Sequence, residues 1–236
     1  MGPRIIVFDY QTSRSGRYAR DFLDAWQGHL VVDDYAGYKA LFTLAGNCTE
    51  LGCWAHARRK FFDLHQASAS TVAFEALQRI GKLYAVEDEG KHLTIETRQR
   101  LRTEKSLPIL QSLYDWLLQT RAHTADGGGT AKTIDYTLKR WQSLIRYAGT
   151  GYLPIDNNPV ENTILPIALG RKNWLFAGSE RAGKRASAIQ TLLGTAKLNG
   201  INPLNGWPTH SKNSLLVLII ESMNCYRFQP KLLKHC

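Results

Sequence analysis

Acid is in short supply in this chain. Against 30 lysines and arginines the 236 residues carry 20 aspartates and glutamates, a formal net charge of +10. That balance argues against an acidic or polycation-binding protein and points to a polyanion partner, nucleic acid first; the plain alternative is a diffuse surplus of solvated basic side chains. Cysteine is scarce too. Cys48, Cys53, Cys225 and Cys236 form no CxxC pair, which speaks against a zinc ribbon or a disulfide framework and fits a reducing, intracellular setting. No charged-then-apolar signal pattern opens the chain. Its longest apolar run, "SLLVLIIES", is too short to span a bilayer, so the expectation is a soluble, cytoplasmic protein with no membrane partner. Internal repeats are absent as well. What remains is a chain 44% hydrophobic, long enough for one or two domains and able to bury about 70–75% of its unfolded surface.

The apolar pattern then divides the chain. "RIIVFDY" (Arg4 to Tyr10) reads as a strand, and "TSRSG" after it is turn chemistry. "RYARDFLDAW" spaces its apolar residues for a helix, and "GHLVVDDYAGY" predicts a strand, His29 to Val32, that ends on Asp33 and Asp34. "CWAHARRKFFDL" predicts a helix with an apolar face (Trp54, Ala57, Phe61, Leu64) and a basic face (Arg58, Arg59, Lys60). From Gln66 to Thr120 the pattern is mostly helical, with a break at "EDEGKH"; "TADGGGTAKT" reads as a flexible connector. "IDYTLKRWQSLIRYAG" predicts one helix, with Leu138, Trp141, Leu144 and Ile145 on one side and an end near Gly149. "GRKNWLFAGSE" reads as a strand or loop. "RAGKRASAIQTLLGTAKLNG" predicts a helix that turns Ala182, Ala186, Ile189, Leu193 and Ala196 inward and stops at Gly200. Trp54, Trp141 and Trp207 are expected in the core.

"PIDNNPVEN" (Pro154 to Asn162) is the densest polar stretch. Asn158 suits an N-cap, Pro159 the first helical position, and Glu161 the third, where it could complete a capping box. Capping explains the glutamate. It leaves Asp156 and Asn157 over, two further polar groups at a helix start, so a catalytic reading stays open beside the structural one.

Taken in order, "VVDDYAGYKAL", "CWAHARRKFFDL", "IDNNPVEN" and "LGRKNWLFAGSERAGKRAS" resemble the transposases of insertion sequence 66, a DDE-type family, over a stretch from Ile5 to Asn202. The resemblance implies an α/β fold: a ribonuclease H-like core, N-terminally truncated, with a mostly helical insertion. Residues 1–65 would be part of that core, 66–130 the insertion and linker, 131–202 the rest of the core with the catalytic glutamate helix, and 203–236 a divergent tail. It implies DNA transposition, with three carboxylates holding two divalent ions, Mg²⁺ or Mn²⁺, for cleavage and strand transfer at transposon ends.

Residue by residue, the resemblance puts Asp33 on the second catalytic aspartate and Glu161 on the catalytic glutamate, both as metal ligands. Asp34 stands where the family commonly has glycine. Asn157 and Asn158 would orient Glu161 or touch the nucleotide; Arg58, Arg59, Lys60, Arg171 and Lys172 would contact phosphates, which positions DNA without reading its sequence. The family's first catalytic aspartate, on an upstream strand, and its upstream DNA-binding segment have no counterpart here; Asp9 lies on an expected edge strand and reads as structural. DNA is the implied partner, with a second copy or a full-length transposase as protein partner, in a nucleoid-associated setting. The rival expectations are a catalytically silent nucleic-acid-binding remnant and a decayed reading frame.

Overall fold

The computed structural model describes residues 5–13, 15–24, 26–33, 36–42, 48–170 and 178–202. Asp34, Arg171, Lys172, Trp207 and the segment 203–236 therefore lie outside the described residues, as does most of "GRKNWLFAGSE". The chain divides into two compact units, Met1–Ala25 with Val160–Cys236 and Trp26–Pro159.

The larger unit starts with strand β1 (Gly28–Val32), followed by a 3₁₀ turn (Ala36–Phe42) and strand β2 (Cys48–Gly52). The two strands pair in parallel, from Gly28 opposite Cys48 to Val32 opposite Gly52. The predicted β1 is there, whereas β2, "CTELG", has too little apolar alternation to be read in advance. Helices come next: α2 (Trp54–Ser68), α3 (Thr71–Glu89), α4 (Ile95–Leu101), α5 (Leu107–Ala122), α6 (Gly129–Lys139) and α7 (Trp141–Ile145). Among the described residues the protein is thus mainly helical, with one two-stranded parallel sheet, and the larger sheet implied by a ribonuclease H-like core is not seen.

Burial decides which faces meet. Trp54, Ala57 and Phe61 of α2 are fully buried, with Leu64 packed beside them, as their spacing predicts. They meet Ala73, Ala76, Ile80 and Leu83 of α3, Leu113 and Leu117 of α5, Ile134 of α6, and Trp141 and Leu144 of α7. The Trp54 indole N–H donates to the Leu144 carbonyl (2.9 Å), and its ring meets Trp141 edge-on, 5.8 Å between centroids. Two predicted boundaries move. The "TADGGGTAKT" connector turns helical at Gly129, and the helix expected to run to Gly149 breaks at Arg140 (φ −103°, ψ 7°) before α7 and a 3₁₀ turn, Arg146–Gly149.

A buried arginine fixes the loop after that turn. Pro108 has no N–H to give the Glu104 carbonyl, and the helix widens into a π turn (Arg102–Ser106) just before it. Arg102 is 1% exposed. Its Nε and Nη2 grip the Glu87 carboxylate, Nε at 2.8 Å, while Nη1 is shared among the carbonyls of Tyr147 (2.9 Å), Thr150 (2.6 Å) and Leu153 (2.9 Å). Arg98, one turn earlier, donates to the carbonyls of Gly90, Leu93 and Gly151. At Gly151 a Cβ would stand 1.8 Å from the Ile95 carbonyl oxygen, so only glycine fits.

In the smaller unit, α1 (Gly16–Phe22), α8 (Asn158–Leu169, from its third residue on) and α9 (Glu180–Leu198) accompany the first segment of the chain. That segment is extended but forms no strand. Thr195 Oγ1 accepts the Ile6 N–H and faces the Ile6 carbonyl, both at 3.2 Å; Thr191 does the same for Phe8, at 2.9 and 3.5 Å. The period-2 pattern of "RIIVFDY" is therefore satisfied by hydroxyls one helical turn apart rather than by a second strand. The inward face of α9 turns with it: Gly183, Thr191, Thr195 and Ala196 are buried, and Ile189, expected inside, is exposed. A Cβ on Gly183 would lie 2.6 Å from the Tyr10 ring. Asp9 is exposed and accepts the Gln11 side-chain amide (2.6 Å). Gly200 ends α9 in the left-handed region (φ 69°), as predicted.

Removing Arg102 strands a half-buried carboxylate and three carbonyls together. Arg102→Met is expected to lower stability by about 3–5 kcal/mol, read from urea denaturation followed by circular dichroism; a loss under about 1 kcal/mol would show that water replaces the guanidinium.

Candidate functional site

Two of the motifs interlock within the larger unit. Helix α2 begins without a side-chain cap, leaving its first N–H groups to find other partners. The Trp54 N–H donates to the Ile155 carbonyl at 3.1 Å, and the Cys53 thiol donates to Asn157 Oδ1 at 2.9 Å. Burial pushes the Cys53 thiol above its ordinary value. So "CW" and "IDN" hold each other.

Asp156, which helix capping by Asn158 left unexplained, is 7% exposed. Its carboxylate accepts the Tyr84 hydroxyl (2.8 Å), the Asn158 N–H (3.1 Å) and the Asn158 side-chain amide (2.8 Å). The start of α8 is thus held by Asp156, two residues earlier than the expected cap, and Asn158 is already helical. Asn157 and Asn158 both have their side chains engaged here. Glu161 follows in the first turn of α8 and is exposed. Asp33 belongs to the larger unit and Glu161 to the smaller.

Asp33 stands one residue beyond the last pair of β1 with β2, at the carboxyl end of a parallel strand, where ligands of open α/β sheets bind. It lines a cavity of about 10 Å³ with Glu50, Cys53, His56, Tyr136 and Arg140, room for one water at most. The Tyr136 ring carries two cations: Arg140 Cζ lies 3.9 Å and Lys60 Nζ 4.4 Å from its centroid. Burial first, then the charges of Cys53, Asp33 and Glu50, push the Tyr136 phenol up to about 12, and burial pulls the Arg140 guanidinium down. Arg58, Arg59 and Lys60 are exposed on α2, as its basic face predicts.

Sequence reasoning missed Glu50, His56, Tyr136 and Arg140. Only His56 had a visible signal, since it precedes Lys60 by one helical turn on a helix already read as basic. Among the described residues no three His, Cys, Asp or Glu side chains gather closely enough to hold a metal ion, and no helix is long and apolar enough to cross a membrane.

The chain belongs to the transposase IS66 family, whose profile it matches over residues 2–185. It is 34% identical to the uncharacterized protein y4qI of Sinorhizobium fredii (strain NBRC 101917 / NGR234), over 97% of this chain and 44% of that protein. The uncharacterized protein y4hP of the same organism is 33% identical over 85% of this chain and 39% of its own length. The chain therefore spans less than half the length of these curated relatives, and the y4qI match reaches past Asn202 into the segment read as a divergent tail. No solved structure matches the chain significantly.

The buried acids around "IDNN" make stability pH-dependent on the alkaline side. Burial and Asp156 raise the Tyr84 phenol above 10.0, and burial raises the Cys53 thiol above 9.0. A raised pKa stabilises the fold fully below the unfolded value and loses that contribution as pH rises toward the folded one. The urea midpoint is expected to stay level up to about pH 9 and to fall through pH 10 and beyond. Tyr84→Phe is expected to cost about 1–3 kcal/mol at pH 7, through the lost hydrogen bond to a buried carboxylate, and to make the alkaline fall shallower. An identical alkaline slope in the variant would remove Tyr84 as its cause.

Proposed function

We propose that this chain is part of the catalytic core of a metal-dependent DNA transposase, with Asp33 and Glu161 as two of its three metal-binding carboxylates. The observation that carries the reading is the place of Asp33: the carboxyl end of a parallel strand, in a polar cavity shared with Glu50 and edged by Arg140. A ribonuclease H-like arrangement accounts for this placement, with β1 and β2 as two neighbouring strands of its sheet and the helices after α2 as an insertion. A third carboxylate completes the ligand set that this reading requires.

Oxygen donors suit Mg²⁺ or Mn²⁺, and carboxylates are the donors that this proposal assigns. When bound, such ions activate a water or a 3′-hydroxyl and stabilise the leaving oxygen of the phosphodiester. The chain's own contribution is placement. Strand β1 sets Asp33, and the lock between Cys53, Ile155, Asp156 and Asn157 sets where α8 begins, three residues before Glu161. Asn157 and Asn158 position the glutamate helix in this reading. Arg58, Arg59, Lys60, Arg171 and Lys172 contact DNA phosphates, and a second copy or a longer transposase chain is the protein partner.

The test is a Mg²⁺-dependent nicking assay on DNA carrying transposon ends, using this chain fused to the upstream part of a full-length relative. The fusion is expected to cut, and Asp33→Asn or Glu161→Gln to reduce cutting by more than about a hundredfold, the scale that outer-shell partners of a metal alone can reach. Undiminished cutting by Asp33→Asn would assign the ligand to another acid, Asp34 first. A fusion that binds DNA without cutting in any form would favour the silent DNA-binding reading.

A further inference from the structure

We propose that Arg140 and Lys60, both seated on the Tyr136 ring, form a phosphate-binding pair that holds the DNA backbone beside Asp33. The proposal deepens the transposase reading and rests on it for the identity of the polyanion as DNA.

Arg140 sits at the break between α6 and α7, where the backbone leaves helical geometry. Its guanidinium folds back over Tyr136, one turn earlier, and Nη1 donates to the Tyr136 carbonyl at 3.3 Å. Two contacts to one residue hold the plane of the fork. Lys60 arrives from a different helix, one turn after the cavity-lining His56, and lies over the same ring. Tyr136 therefore gathers cations from α2 and from the α6–α7 junction at a cavity that Arg140 itself lines together with Asp33 and Glu50.

The chemistry asks for such a pair. Two carboxylates beside a small cavity repel an approaching phosphodiester, and a positive group within a few ångströms is needed to offset that field. A guanidinium carries five donors in a planar fork that matches phosphate oxygens, and it stacks readily on an aromatic face. Lysine adds a point charge on a long stem. This divides the labour: the ring fixes where the charge stands, and the two cations meet adjacent phosphates. The basic residues read from sequence supplied only half of the pair, because Arg140 stands at a helix break that the periodicity does not show.

Binding of a short labelled duplex to the chain itself, measured by anisotropy between about 50 and 200 mM salt, tests the pair. Arg140→Gln and Lys60→Gln are each expected to flatten the log–log salt slope by about one unit, and the double variant by about two; Arg140→Lys should keep the slope, and Lys82→Gln on α3 should not change it. Unchanged slopes in both Gln variants, with native circular dichroism, would overturn the proposal. Lys60 is exposed, so Lys60→Gln decides the matter if Arg140→Gln fails to fold. Repeating the titrations with Mn²⁺ separates this idea from the reading beneath it. Mn²⁺ should tighten binding by the wild-type chain and not by Asp33→Asn. Loss of that Mn²⁺ effect in Asp33→Asn with unaltered slopes in the Arg140 and Lys60 variants sinks the phosphate pair alone, whereas flattened slopes without any Mn²⁺ effect sink the metal assignment and leave the pair standing.

Discussion

The geometry around "IDNN" depends on a single guanidinium. Arg102 satisfies three carbonyls from the loop between Tyr147 and Leu153, and that loop runs directly into Pro154 and the motif. Without a polar hub a loop of this kind cannot be buried, since its carbonyls would lose water and gain nothing. Glu87 neutralises the hub and ties it to α3. The local cause is modest: a proline that cannot donate to the helical ladder, a widened turn, and one side chain redirected inward. Together they set the path by which the chain returns to the first turn of α2.

That return explains why the motifs on either side of it are rich in both aromatic and amide side chains. "CWAH" supplies an indole for the core, a thiol for Asn157, an uncapped N–H for Ile155 and an imidazole at the Asp33 cavity. Three of these four residues thus serve the core, the neighbouring motif and the cavity together. Asp156 does comparable double service, since Tyr84 reaches it from the core helix α3 while Asn158 opens α8. In "PIDNNPVEN" the amides and Asp156 hold the start of α8, three residues before Glu161.

The legible part of the fold is the part decided by periodicity. The α2 face of Trp54, Ala57 and Phe61, strand β1 and the stop at Gly200 follow from spacing alone, because burial on one face leaves a repeat of 3.6 or 2 in the chain. The rest is set by partners far away in sequence. Thr191 and Thr195 give no inward signal until an extended segment needs a hydroxyl at each N–H, and Ile189 is displaced outward as a result. Strand β2 is short and half polar, and Arg102 looks like any helical arginine until Glu87, 15 positions earlier, is folded against it. At the candidate site the family motif points to Asp33, yet Glu50, Tyr136 and Arg140 sit in ordinary sequence and become neighbours of Asp33 only through packing.

The join between the first segment and α9 works like a vernier. Each rung advances two residues along the extended chain, about 6.6 Å, and four residues along the helix, about 6.0 Å. The two scales slip by about 0.6 Å per rung, so coincidence holds over two or three steps and then fails. Two rungs are what the threonines provide, at Ile6 and Phe8. A sheet edge can grow indefinitely by adding like to like, whereas this edge ends after a few residues because its two rulers disagree. The edge of the segment that carries Ile6 and Phe8 is thereby closed by a helix, and its length is set by the mismatch of the two rulers.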